Sequence, residues 1–209
     1  MANMVSVVVS ILALIVSVAT AWLTLVHRGT VKMTRPTQIF FGADSSRWGD
    51  AEASTKIYLR ALMFATSKRG RVVENVRVVL TRDDSQRVFN IWVYGEREKL
   101  VRGSGLFVGE TGVEANHHFL LSPDAHAFAF TAGRYKFDVI AHVVGDKQEK
   151  LLFSDELEVT PEAAAEIRDS GAGLYFDWAP DMSRYVSHVE RDPRRPIPWT
   201  LETFAHRDQ

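Results

Sequence analysis

The chain has 209 residues, 46% of them hydrophobic and 24% charged, with a formal net charge of −1 and no cysteine. A near-neutral balance excludes the strongly basic surface that nucleic-acid binding requires. The missing thiols exclude disulfides, cysteine nucleophiles and cysteine-ligated zinc.

Residues 1–3 are an uncharged flank. The stretch from Met4 to Val26, "MVSVVVSILALIVSVATAWLTLV", contains no charged residue. As a helix rising about 1.5 Å per residue it is roughly 34 Å long, enough to cross a hydrocarbon core of about 30 Å. Ser6, Ser10, Ser17, Thr20 and Thr24 can bond carbonyls of their own helix, which makes them tolerable in lipid. Trp22 stands near one end, where an indole prefers the headgroup level. A cleaved signal peptide is the rival reading, and Ala19-Thr20-Ala21 has the small-x-small form a peptidase reads. Such peptides begin with a positive region and carry a run of about 7–15 apolar residues. Met1-Ala2-Asn3 has no lysine or arginine, and the run is longer. The expectation is therefore an uncleaved, single-pass transmembrane helix over residues 4–26.

Residues 27–36, "HRGTVKMTRP", read as a basic juxtamembrane linker with Arg28, Lys32 and Arg35 and no acid. Positive charge beside a span favours the cytoplasmic side, so the expected topology has the N-terminus outside and the C-terminal domain in the cytoplasm of a membrane-bound protein. The same cations can contact anionic lipid headgroups.

Residues 37–160 read as a run of short strands: Lys56–Thr66, Val72–Thr81, Arg87–Gly95, Gly105–Gly109, Ala115–Leu121, Ala127–Ala132, Arg134–Gly145 and Glu149–Val159. Turn signals such as "SKRGR", "TRDDSQ", "VRGSG" and "VGDKQ" separate them. No amphipathic helix lies between strands, which argues against βαβ units and for an antiparallel β-sandwich. The segment "HAFAFTAGRYKFDVIAHV" places an aromatic strand, a glycine turn and Tyr-x-Phe-x-Val in succession. It resembles the corner and following strand of immunoglobulin-like sandwiches. That resemblance implies that Tyr135 closes the corner by bonding backbone. It also implies a core role for Trp92.

Residues 161–209 read as a short helix followed by an aromatic, proline-rich tail. Thr160 is the N-cap, Pro161 the first helical residue and Gly171 the stop. Tyr175, Phe176, Trp178, Tyr185 and Trp199 either pack back on the sandwich or serve as partner contacts, since tryptophan and tyrosine often anchor interfaces.

Three candidate sites remain. His117 and His118 are neighbours in a strand and so point to opposite faces, and a metal site would need Asp124, His126 or His142 to converge on them. "RGSGLFVG" has three glycines but leads into a strand, not a helix, and reads as a turn. "SKRGR" puts Lys68, Arg69 and Arg71 on a hairpin tip, a solvated turn unless the tip faces the bilayer, where it would join Arg28, Lys32 and Arg35 as a lipid-contact patch.

The function these features point to is non-catalytic. A membrane-anchored immunoglobulin-like sandwich would hold or sense a protein partner, or a second copy of itself, at the membrane surface, with no nucleic acid and no cofactor. The alternatives are an exported sandwich that binds an extracytoplasmic ligand, and a hydrolase or metal site near His117 and His118.

Overall fold

The apolar N-terminal run is helical in a computed structural model of the chain, which describes residues 2–43, 55–95, 100–122, 128–170 and 172–191. Helix α1 (Ala2–Ala21) continues into a π-helical turn at Trp22–Val26. Residues 3–23 are all exposed, and Asn3–Thr24 is long and apolar enough to cross a membrane. The hydroxyls bond back along the helix as expected: Ser10 to the Ser6 carbonyl at 2.9 Å, Ser17 to Ala13 at 2.8 Å, Thr20 to Val16 at 2.8 Å and Thr24 to Thr20 at 2.7 Å. Each of these four hydroxyls is satisfied by a carbonyl of its own helix.

The remainder is mainly β, in two antiparallel sheets. The first is built on β3 (Thr55–Ala65). One edge of β3 carries two successive strands, β1 (Val31–Met33) and β2 (Gln38–Ala43), separated at Pro36, which has no N–H for the ladder. Its other edge pairs with β9 (Val113–Leu120), then β6 (Ile91–Gly95) and β7 (Val101–Arg102). Beyond β2 lie β12 (Gly173–Ala179) and β13 (Arg184–Glu190). The second sheet runs β11 (Lys150–Val159), β10 (Gly133–Val143), β4 (Arg71–Arg82) and β5 (Ser85–Phe89), with β8 (Leu106–Val108) on the near end of β4.

Period-2 alternation supplies the shared core. Ile57, Leu59, Ala61 and Met63 of β3 and Phe137, Val139, Ala141 and Val143 of β10 are buried in one cluster with Phe41, Phe89, Trp92 and Phe119. In β4 the alternation changes phase. Arg71 and Val73 are buried, then Val76, Val78 and Leu80, with the register against β10 slipping between His142 and Val143. This is a β-bulge, and the extra residue keeps Arg71 on the inner side of its strand.

Several expectations need correction. The run Arg87–Gly95 is two strands: β5 belongs to one sheet and β6 to the other, and the chain crosses between them at Asn90. The described part of Ala127–Ala132, residues 128–132, forms no strand; Phe128 and Phe130 fill the core instead, with Phe130 stacked on Phe41 at 4.6 Å. Segment 27–36 is more than a linker because β1 lies in it. Segment 161–209 is more than a helix and tail because β12 and β13 extend the first sheet. These strands are held by partners far along the chain, Leu174 by Phe41 and Val31 by Ala65, which local pattern does not reveal.

Two local readings correspond to observed bonds. The Tyr135 hydroxyl donates to the Thr131 carbonyl at 2.8 Å and accepts from the Thr131 N–H at 3.1 Å, closing the corner before β10. Helix α2 (Pro161–Ser170) starts at Thr160, whose hydroxyl accepts from the Ala163 N–H at 3.2 Å.

Candidate functional site

The chain leaves the apolar helix and enters the sheet within four residues, 27–30, and three of those four are bonded into the domain. The Ser67 hydroxyl donates to the Arg28 carbonyl at 2.8 Å, Arg71 Nη1 donates to the Gly29 carbonyl at 3.1 Å, and the Thr30 N–H donates to the Thr66 hydroxyl at 2.8 Å. Gly29 has φ +60, and a Cβ there would stand 2.7 Å from Ser67 Cβ, so the close approach needs glycine. Arg71 also reaches the other side of this base. Its Nη2 donates to the Val144 carbonyl at 3.1 Å and to Asp146 Oδ1 at 2.6 Å. One buried guanidinium thus ties the helix exit, the β3–β4 turn and the β10–β11 turn into a single end of the domain.

The six basic candidates separate into two kinds. Arg28, Lys32, Lys68 and Arg69 are exposed, and Arg28, Lys68 and Arg69 stand at this end. Arg71 is 8% exposed and is committed to the carbonyls and carboxylate just named, so it is removed from the lipid-contact set. Arg35 is committed elsewhere. Its guanidinium lies 4.0 Å from the centroid of the Trp178 ring and pairs with Asp155, with Phe153 at 5.4 Å on the same group. The β-bulge and the fold-back of β12 decide both outcomes.

The aromatic candidates also divide. Phe176 is 2% exposed and belongs to the core, where its ring meets Phe41 edge-on at 5.0 Å; it is corrected from partner contact to packing. Tyr175, Trp178 and Tyr185 are half-buried on β12 and β13. Tyr175 stacks on His188 at 5.4 Å, and the Tyr185 hydroxyl donates to the Pro36 carbonyl at 2.6 Å. Burial pushes the Tyr185 and Tyr175 phenols up from their ordinary range. Trp199 lies outside the described residues.

His117 points into the core. Its Nδ1 accepts from Trp92 Nε1 at 3.1 Å, which places its proton on Nε2, a buried atom with no hydrogen-bond partner. Burial lowers its pKa from the ordinary 6.5 to about 4. His118 lies on the opposite face against Tyr58, with ring centroids 5.0 Å apart. His142 stands across the molecule on β10, 3.3 Å from Glu74. Asp124 and His126 lie outside the described residues. Among the described residues no group of three His, Asp or Glu side chains is placed to hold a metal ion.

Comparison with known proteins shows no family. No protein-family model matches the chain, and no curated protein matches it. Among solved structures the chain matches the CooA pilin subunit from enterotoxigenic Escherichia coli at 15% identity, over 60% of this chain and 100% of that one, with a TM-score of 0.27. A likeness at that TM-score carries no argument about fold or activity.

The helix-proximal end holds residues that the sequence reading did not single out. Phe107 of β8 pairs with Val72 of β4, and the Val144 N–H donates to the Val72 carbonyl at 2.9 Å. All three side chains are exposed, Phe107 at 62%. An apolar residue in a strand reads as core from composition, and exposure depends on which sheet face the pairing assigns to it.

Proposed function

We propose that this protein is a single-pass, membrane-anchored interaction module. Its helix is retained, its N-terminus lies outside, and its β domain lies in the cytoplasm with an immunoglobulin-like arrangement. The observation that carries the proposal is the apolar helix, exposed throughout residues 3–23 and joined to the domain by four residues, of which Arg28, Gly29 and Thr30 are bonded into it. A leader destined for removal has no need of such a junction. Arg28, Lys32 and Arg35 follow the helix without an intervening acid and support the cytoplasmic placement. The Tyr135 corner bond supports the immunoglobulin-like arrangement.

The work of the domain is non-catalytic: it holds a protein partner, or a second copy of itself, at the membrane surface. Confinement by the helix raises its effective concentration toward other membrane-bound molecules. Strand β13 is the last strand in the order of its sheet among the described residues, and Tyr175, Trp178 and Tyr185 stand on it and its neighbour β12. A reporter active only in the cytoplasm, fused to the C-terminus, tests the placement, and the mass of the same chain tests retention of the helix. Activity at full length is the expected result. An inactive reporter, or a chain shortened by about 20 residues as leader removal predicts, overturns the reading in favour of an exported domain with an extracytoplasmic ligand.

A further inference from the structure

We infer that the helix-proximal end of the domain is a lipid seat: Phe107, Val72 and Val144 enter the interfacial layer of the bilayer while Arg28, Lys68 and Arg69 meet its phosphates. The inference rests on retention of the helix and is independent of which side the domain occupies.

Connectivity places this end at the membrane. The four residues 27–30 span at most about 14 Å when extended. Arg28, Gly29 and Thr30 are bonded to Ser67, Arg71 and Thr66, so the β3–β4 turn is held beside the helix exit. Phe107 is aimed by that turn. Gly70 has φ +69, and a Cβ on it would stand 2.5 Å from Phe107 Cζ, so the ring lies directly over the glycine. Val144 is fixed to the same end by its bond to Val72 and by the Arg71 bond to its carbonyl. Three exposed apolar side chains therefore stand at the end of the domain that carries the helix exit.

The charge around them suits an anionic surface. Arg28, Lys68 and Arg69 are exposed beside the apolar set. Of the acids nearby, Asp146 is held by Arg71, Glu149 is paired with Arg77 and Glu74 stands beside His142, while Glu110 is exposed on the β8–β9 turn. Aromatic and aliphatic side chains with cations around them bind an interface by apolar burial plus attraction to anionic lipid. An exposed phenylalanine of this kind is costly in water and favoured at a bilayer surface.

The chain has no cysteine, so single cysteines can be labelled cleanly. Phe107→Cys, Val144→Cys and, as control, Val88→Cys are placed in the full chain, the last on exposed β5 paired near the far end of β4. Each is labelled with a small fluorophore and reconstituted in vesicles of phosphatidylcholine and phosphatidylglycerol. The expected result is that labels at 107 and 144 are protected several-fold from aqueous iodide relative to 88 and are quenched by nitroxides carried on the lipid. Equal access to iodide at all three positions overturns the seat. Protection from iodide without lipid quenching also overturns it, since a protein surface, such as a second copy, then covers the patch. Mass and flotation of the same samples separate the two readings. A full-length, floating chain with water-exposed labels keeps the anchor and loses the seat; a chain lacking the helix loses both.

Discussion

Arg71 Nη2 and Asp146 Oδ1 are 2.6 Å apart, and that contact joins two turns that are distant in sequence but both beside the helix exit. The arginine also satisfies the carbonyls of Gly29 and Val144. Arg71→Met keeps the stem and removes all the donors, leaving those acceptors and the carboxylate without their partner. Because Asp146 is partly open to water, the expected loss is about 2–3 kcal/mol, below the value for a fully buried pair. Denaturant unfolding of the full chain in detergent measures it. Asp146→Asn is expected to cost less, since Arg71 keeps both carbonyls.

Arg35 pins the β12–β13 hairpin through Trp178 and Asp155. Arg35→Lys retains the charge but loses the planar stack on the indole. The guanidinium is partly exposed, so the expected cost is about 1 kcal/mol. Trp178 fluorescence should change in the same variant while unfolding remains cooperative.

His117 makes stability depend on pH. Burial holds its folded pKa at about 4 against the ordinary 6.5, so the unfolded chain binds this proton more readily. Above pH 6.5 the group contributes no dependence. Between pH 6.5 and pH 4 stability falls as pH falls, by about 3 kcal/mol in total from this group. In His117→Asn the side-chain oxygen can still accept from Trp92 Nε1, and the pH 4–6.5 slope should flatten by about one proton relative to the native chain. Equal slopes in the two proteins would refute this assignment.

Gly70 is needed twice, for its φ of +69 and for the ring above it. Gly70→Ala places a Cβ 2.5 Å from Phe107 Cζ and 2.9 Å from the Val108 carbonyl oxygen. The expected destabilisation is about 1–2 kcal/mol from the left-handed backbone, with added cost if Phe107 does not rotate away. Thermal unfolding reads the stability, and a displaced Phe107 should also weaken lipid quenching of a label at Val144.

The sequence by itself determined the features that depend on near neighbours. Twenty-three consecutive uncharged residues make a helix long and apolar enough to cross a membrane. The β-rich runs of β3 and β10, the Thr160 cap and a corner closed by Tyr135 onto nearby backbone all involve residues a few positions apart, and all are legible in the sequence. Only the tertiary structure decided the rest. A one-residue bulge in β4 turned Arg71 from a tip cation into a buried tie, because one extra residue reverses which face each later side chain takes. Pairing of Leu174 with Phe41 drew an aromatic tail into the sheet, buried Phe176 and brought Trp178 under Arg35. Phe107 was left outside for the same reason: whether an apolar strand residue faces the core or the solvent is set by long-range pairing, and no local pattern records it.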